Sequence, residues 1–225
     1  MNGFRRDGSE IVAVLEDGEA EVFALVVGQV AGLIEDSRTR SGDDPELGSN
    51  PGAELDELLY EPGSEGPPNR IEIDRTRVDS GLDLGFGQGF GLADPPSGDP
   101  GDPVLSRLFP DGYRDDPEAS AELRAMISGD LHTQKLDNAN TLLATLPAGG
   151  GEVRLDGAQA ESWLLALNDA RLALGTRLDV TDDMDLLEEL DEAVLADPQG
   201  PRVLALTVYY LLGHAQETLV EALTG

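Results

Sequence analysis

Apolar side chains recur at helical spacing through much of the chain, most densely in the stretch 161–178, ESWLLALNDARLALGTRL. At about 100° per residue, one narrow arc of this helix carries Trp163, Leu167, Leu174 and Leu178. Leu165 and Leu172 lie on the far side, so most of the circumference is apolar. A helix that is apolar nearly all round is typical of a buried central helix.

The same spacing predicts further helices over 19–35, from an N-cap at Ser120 to Leu146, and over 201–223. Another helix is expected to start at Thr181 or Asp182 and to end before Pro198. The apolar residues that form one stripe along that helix are Met184, Leu187, Leu190 and Val194. In the last helix, one face carries Leu204, Val208, Leu211, Leu212, Ala215 and Leu219.

Strand patterns are confined to short segments. Asp7-Gly8 is predicted to form a two-residue type I′ turn between two strands, because Gly and Asp tolerate the positive φ angles of that turn. Residues 153–155 are a candidate third strand beside this hairpin, and Asp156 is a candidate N-cap of the central helix. The predicted fold is therefore mainly α: a helical bundle around a buried central helix, with a small N-terminal β-hairpin or sheet.

Residues 37–98 differ from the rest in composition, since acidic residues, Gly, Pro and Ser dominate there. Such a segment buries too little apolar surface to offset the entropy of ordering the chain, so it is expected to be disordered or a loose loop. The domain prediction is a single domain over 1–225 that carries 37–98 as an acidic Gly/Pro-rich insertion.

Charge narrows the range of partners. The chain has 45 acidic and 15 basic residues, a net charge of −30. This charge repels nucleic-acid phosphates and anionic membranes, so direct binding to either is not expected. No apolar run is predicted to be a signal peptide or a membrane span, and a cytoplasmic location is expected. The chain has no cysteine, which excludes disulfides, thiolate metal sites and thiol redox chemistry.

No sequence motif for catalysis, cofactor binding or metal binding is recognisable. The two histidines, His132 and His214, are each expected to be solvent-facing or hydrogen-bonded rather than catalytic. The acidic run 182–185 lacks the Gly and the terminal Glu of a calcium loop, so a solvated acidic face is the preferred interpretation. The chain is predicted not to be an enzyme, with no cofactor and no metal.

Polar residues within the central helix are the candidate site. Besides Trp163, these candidates are Asn168, Asp169 and Arg171. Arg171 lies in the apolar arc and is predicted to be buried and paired with a carboxylate from another helix, Glu217 being the first choice, because an unpaired buried charge is costly. Asp169 points elsewhere and needs a separate partner, such as a helix N-terminus, a backbone amide or another Arg. The alternative for Arg171 is an anchor for a ligand or a protein partner.

Three segments resemble one known family: GDPVLSRLFPDGYRDD at 101–116, the run 135–178, and VYYLLGHAQETLVEAL at 208–223. It is the actinobacterial family of oxidative-stress regulators named AosR, formerly classed as a domain of unknown function. The resemblance implies a cytoplasmic regulator of redox-stress transcription that acts through a protein partner, a stress sigma factor being the expected one. Family members are commonly encoded beside the proteolytic adaptor ClpS, which leaves a role in protein quality control open.

One departure from the family matters. Redox sensing attributed to the family relies on a pair of cysteines, so thiol switching does not carry over to this cysteine-free chain. Two hypotheses then compete. The first is a regulatory protein-interaction module, and the second is a small-ligand-binding or enzymatic helical domain. The charge and the missing catalytic motifs favour the first.

Overall fold

The computed structural model describes residues 2–41, 102–110 and 117–225, with the backbone alone described at 40, 41 and 117–129. In these ranges the chain forms six helices and three strands. Their bounds are β1 (Asn2–Asp7), β2 (Glu10–Leu15), α1 (Asp17–Ser41), α2 (Pro103–Leu108), α3 (Pro117–Thr145), β3 (Gly151–Leu155), α4 (Gly157–Arg177), α5 (Leu186–Ala196) and α6 (Pro201–Thr224). The predicted mainly α fold with a small sheet is confirmed.

The sheet is antiparallel with the order β1-β2-β3, so the candidate strand at 153–155 does join the hairpin. The predicted turn is off by one residue, because Asp7 pairs with Glu10 and leaves Gly8-Ser9 as the loop. Gly8 has a φ of 66°, whereas Ser9 is not among the residues with positive φ. A Gly at the first loop position followed by a residue with negative φ fits a type II′ turn, not the predicted type I′.

Helix α4 is the central helix, as predicted. It packs against α1, α2, α3 and α6, and the arc formed by Trp163, Leu167, Leu174 and Leu178 is fully buried. Asp156 caps its N-terminus as predicted, in a capping box with Gln159 in which each side chain accepts a hydrogen bond from the other residue's backbone N–H. The far side is less covered, since 46% of Leu165 is exposed.

The glycines at 149–151 end the segment after α3, and all three have positive φ. Gly150 also lies against the start of α1, where a Cβ atom would come within 2.6 Å of the Asp17 nitrogen. Only glycine meets both demands without strain. This loop therefore fixes β3 next to the first turn of α1.

Several predicted helix boundaries are corrected. Helix α1 runs from Asp17 to Ser41, so residues 37–41 belong to it and not to the predicted insertion. The rest of that insertion, 42–98, lies outside the described residues. Helix α3 begins at Pro117, which places Ser120 inside the helix and not at its N-cap. Helix α5 begins only at Leu186, because the side chain of Asp185 accepts hydrogen bonds from the backbone nitrogens of Leu187 and Glu188.

Helix α6 closes over strand β1. The Phe4 backbone nitrogen donates to Thr218 Oγ1 at 3.2 Å, and Gly3 lies so close to Thr218 that a Cβ atom would come within 2.6 Å of its methyl group. Arg6 donates to the carbonyl oxygens of Ala222 and Leu223, near the C-terminus of the helix. A cation at this position also interacts favourably with the helix dipole.

Helix α5 is the least embedded helix of those whose side chains are described. It packs chiefly on α6, and Ala193 is its one buried residue, with Leu186 and Leu190 partly buried. The stripe predicted from the sequence is split, since 63% of Leu187 and 39% of Val194 are exposed. Among the described helices, none has an apolar run that could cross a membrane.

Candidate functional site

The polar candidates of α4 face different neighbours. Trp163 belongs to the core: its indole nitrogen donates to Thr145 Oγ1 at 2.7 Å, and its ring meets Phe4 and Phe23 edge-on at centroid distances of 5.7 and 6.5 Å. A fully buried Trp with its one polar atom satisfied is a packing residue. Its role is to join the sheet, α1 and α3 to the central helix.

Asp169 faces α3. Its carboxylate accepts a hydrogen bond from Lys135 Nζ at 2.7 Å, and both side chains are largely buried. Burial raises the pKa of Asp169 above its usual value, while the hydrogen bond and charge of Lys135 partly counter that rise. The expectation of a partner separate from that of Arg171 is correct. That partner is the one lysine of the sequence, and not an Arg, a backbone amide or a helix N-terminus.

Arg171 faces α6, and here the sequence prediction is wrong. The guanidinium donates from Nη1 to Gln216 Oε1 at 3.2 Å and lies over the Tyr209 ring at 5.1 Å. Gln216 in turn donates to Asn168 Oδ1 at 3.4 Å, which joins both helices in one small polar network. Arg171 is half-buried rather than buried, and its Nε atom, although buried, has no hydrogen-bond partner within the described part of the chain.

Glu217, the predicted partner, is exposed. The reason is the helical repeat: Tyr209, Gly213 and Gln216 follow the i, i+4, i+7 spacing of one face, and the next residue is turned by about 100°. The prediction chose Glu217 for its charge, whereas Gln216 is the residue on the face of α6 that packs against Arg171. Among residues 2–41, 102–110 and 130–225, no carboxylate forms an ion pair with Arg171.

Two glycines allow α4 and α6 to fit closely at this network. A Cβ atom on Gly175 of α4 would meet the Tyr209 ring at 3.0 Å, and one on Gly213 of α6 would meet the Arg171 guanidinium at 3.7 Å. Each helix thus offers a small residue opposite the large polar side chain of the other. The Arg171 charge is held between the two helices without a carboxylate to neutralise it in the described ranges. Such a guanidinium can accept a carboxylate or another anionic group from outside.

A second group of buried polar residues was not predicted from the sequence. Asp102 is completely buried, caps α2 by accepting from the Val104 nitrogen at 2.8 Å, and accepts from Arg177 of α4, also at 2.8 Å. Its Asp-Pro context was a local signal for the cap. The ion pair joins residues 75 positions apart, and no local pattern indicates it.

His132 of α3 is also buried. Its Nε2 atom is 3.2 Å from Ser37 Oγ on α1, and its ring stacks on Phe109 at 4.1 Å. Of the two roles expected for this histidine, the hydrogen-bonded one is correct and the solvent-facing one is wrong. Within the described ranges, no group of three or more His, Asp or Glu side chains is arranged as metal ligands.

Comparison with known proteins covers nearly the whole chain. The chain is 29% identical to the Oxidative stress regulator AosR of Mycobacterium tuberculosis (strain ATCC 25618 / H37Rv), over 98% of this chain and 85% of that protein. It is 33% identical to the Putative oxidative stress regulator AosR of Mycobacterium leprae (strain TN), over 74% of this chain and 72% of that protein. No solved structure matches it significantly. The profile of the family described as "Domain of unknown function (DUF2017)" matches residues 1–223, and the chain therefore belongs to that family.

Proposed function

We propose that this chain is a non-enzymatic regulator of the oxidative-stress response that acts in the cytoplasm by binding a protein of the transcription machinery. The observation that carries the proposal is the similarity, over 98% of the chain, to a protein named an oxidative stress regulator. A stress sigma factor is the expected partner. A net charge of −30 supports action through a protein rather than through direct contact with DNA.

In this proposal the chain itself is not a thiol switch. It contains no cysteine, so peroxide cannot convert it between a dithiol and a disulfide form. The oxidation signal reaches the regulatory complex through the partner or through the amount of this protein. Mild peroxide followed by reductant should therefore leave the affinity of this chain for a cysteine-free partner variant unchanged. A reversible change in that affinity would contradict this part of the proposal.

Arg171 is proposed as the anchor for an acidic group of the partner. Supporting this role are its half-buried position, its hydrogen bond to Gln216 and the absence of an ion-paired carboxylate in the described part of the chain. The guanidinium is held by its contact with the Tyr209 ring and by one hydrogen bond, so its position is largely fixed before an acidic group binds.

The test compares Arg171→Met with Arg5→Met, which removes an exposed charge from strand β1. Arg171→Met strands no buried carboxylate among the described residues, so it should cost about 1–2 kcal/mol through its lost hydrogen bond and ring contact. The full-length variants and the parent chain are titrated with each sigma factor of the source genome. Weakened binding in Arg171→Met alone supports the anchor. Equal binding by the parent chain and both variants would show that Arg171 is not an anchor for the partner.

The alternatives make different predictions. A small-ligand-binding or enzymatic domain would be stabilised in a thermal-shift screen by one metabolite and would bind no component of transcription. A protein-quality-control accessory would bind ClpS or its protease complex in the same titration. Binding of a sigma factor or of RNA polymerase supports the regulatory proposal over both.

A further inference from the structure

Three of the eleven residues of helix α5 are exposed large apolar side chains. The exposed fractions are 63% for Leu187, 39% for Val194 and 86% for Leu195. Ala193 is the one buried residue of this helix, and the exposed apolar side chains are not explained by packing within the described part of the molecule. Exposed apolar residues grouped on one element are typical of interaction surfaces.

The exposed apolar residues of α5 lie along one side of the helix. Leu187 and Val194 are seven positions apart, which places them on one flank about two turns from each other. Leu195 lies about 100° further round the helix than Val194, and the exposed Asp191 falls between Val194 and Leu195 on the circumference. We define the outer face of α5 as Leu187, Asp191, Glu192, Val194 and Leu195. Its length of about two turns suits a second helix laid alongside.

The charge around this face has one sign. Between Asp179 and Asp197 the sequence holds nine acidic and no basic residues. One of these acids, Glu189, is neutralised by Arg202 at 2.6 Å, whereas Glu188, Asp191 and Glu192 are exposed and have no basic partner among the described residues. An apolar strip bordered and divided by unpaired carboxylates complements a segment that carries Lys or Arg beside apolar side chains.

We propose that the outer face of α5 binds a cationic amphipathic helix of a partner protein. This inference rests on the proposed protein-binding role and adds to it a surface distinct from Arg171 and the kind of segment that the surface accepts. A second copy of this chain fits poorly, because the face would then bring two acidic borders together. An anionic lipid surface is repelled for the same reason.

The probe is a fluorescein-labelled helical peptide of about 18 residues with Leu on one face and Lys on the other. Two control peptides replace Lys by Glu or Leu by Gln at the same positions. Fluorescence anisotropy with the full-length protein should show binding of the Leu/Lys peptide alone. Raising the salt from about 50 to about 300 mM should weaken this binding without abolishing it, because salt screens the charges and leaves the apolar contact.

Substitutions in the protein then locate the site. Leu187→Gln with Leu195→Gln should weaken binding of the Leu/Lys peptide by about tenfold or more, since the apolar contacts are lost. The matched control is Leu165→Gln on α4, which changes an apolar residue that is 46% exposed and should leave the affinity unchanged. Asp191→Asn with Glu192→Gln should also weaken binding, whereas Glu161→Gln with Glu217→Gln, an equal loss of exposed charge elsewhere, should not.

Several results would overturn this inference: no binding, equal binding of the Leu-free peptide, or equal effects of the Leu165 and the α5 variants. Sedimentation velocity supplies another, since self-association of the parent chain that the α5 variant abolishes would make the face a contact between copies. If Leu187→Gln with Leu195→Gln misfolds, Leu195→Gln alone and the acidic pair give the same comparison.

The surface and the proposed function can fail separately. If these results overturn the inference while a sigma factor still binds, the docking surface is rejected and the proposed function stands. If the Leu/Lys peptide binds at the outer face of α5 but no transcription protein binds the chain, the surface stands and the proposed function is rejected.

Discussion

Asp102 combines two interactions in one buried side chain. One oxygen caps α2 and the other accepts from Arg177. Asp102→Asn retains a capping oxygen but removes the charge, and should destabilise by about 3 kcal/mol because a buried ion pair loses one member. Asp102→Ala also loses the cap and should cost about 1 kcal/mol more. Urea unfolding measures both losses.

The control for Asp102 is Asp185→Ala. Asp185 caps α5 in the same way but is exposed and has no ion pair in the described part of the chain. Its loss should cost about 1 kcal/mol or less. Equal losses for Asp102→Ala and Asp185→Ala would show that the Arg177 pair contributes nothing.

The Lys135–Asp169 pair predicts an unusual pH dependence. Burial raises the pKa of Asp169 in the folded chain above its usual value of 3.8. The stability of the fold should therefore decrease as the pH rises from 3.8 to the raised pKa. Lys135→Met removes both effects that lower this pKa, so the pKa should rise further. The variant should lose about 3 kcal/mol at pH 7, and less as the pH falls toward 3.8, because protonation of Asp169 removes the stranded charge.

Thermal unfolding of the parent and of Lys135→Met across this pH range measures the difference. Adding Asp169→Asn to the variant is the control, since it removes the titrating group and should make the remaining loss independent of pH. A loss in Lys135→Met that stays constant from pH 7 down to 3.8, the usual pKa of the carboxyl group, would contradict the assignment.

The sequence predicted the polar residues of α4 that need partners, but not the partners. Asn168, Asp169 and Arg171 were identified because polar side chains in an apolar helix need partners, and Asp169 and Arg171 do use different ones. The partners themselves could not be predicted, because only the packing of the helices brings Lys135 next to Asp169 and Gln216 next to Arg171. The selection of Glu217 shows that opposite charge is a weaker guide than the helical face.

The close packing of α4 against α6 predicts opposite effects for two Gly→Ala substitutions. Gly213→Ala should be neutral or stabilising by up to about 1 kcal/mol, because alanine favours helix and its Cβ would be in ordinary contact with Arg171 at 3.7 Å. Gly175→Ala makes the same chemical change, but its Cβ would press on the buried Tyr209 ring at 3.0 Å. It should destabilise by about 1–2 kcal/mol. Thermal midpoints measure both, and a Gly175→Ala midpoint equal to or above that of Gly213→Ala would contradict the fit.

The spacing of apolar residues predicted the positions of the helices better than it predicted which of their faces are covered. The central helix, its capping residue and the last helix follow from local signals, which explains why their positions were correct. Helix α5 differs: spacing places Leu187 and Val194 on one stripe but does not say whether another element covers them. A covering element is a property of the packed molecule, and 63% of Leu187 remains exposed.

The net charge of the protein predicts that the purified chain does not bind duplex DNA at physiological salt. The net charge is −30, and Arg38, Arg154, Arg177 and Arg202 each lie against a carboxylate. Affinity for phosphates needs free basic residues. Electrophoretic mobility shifts at micromolar protein should be absent. A shift that disappears steeply with added salt would reveal a basic face and refute this prediction.

The closure of α6 over β1 has a consequence for how the protein folds during translation. The hydrogen bond between Phe4 and Thr218 spans 214 residues, so the first strand leaves the ribosome long before the helix that covers it. Until then the hairpin exposes its apolar residues, and a two-stranded hairpin is only marginally stable alone. The contact between β1 and α6 can therefore form only at the end of synthesis, when nearly the whole chain has been made.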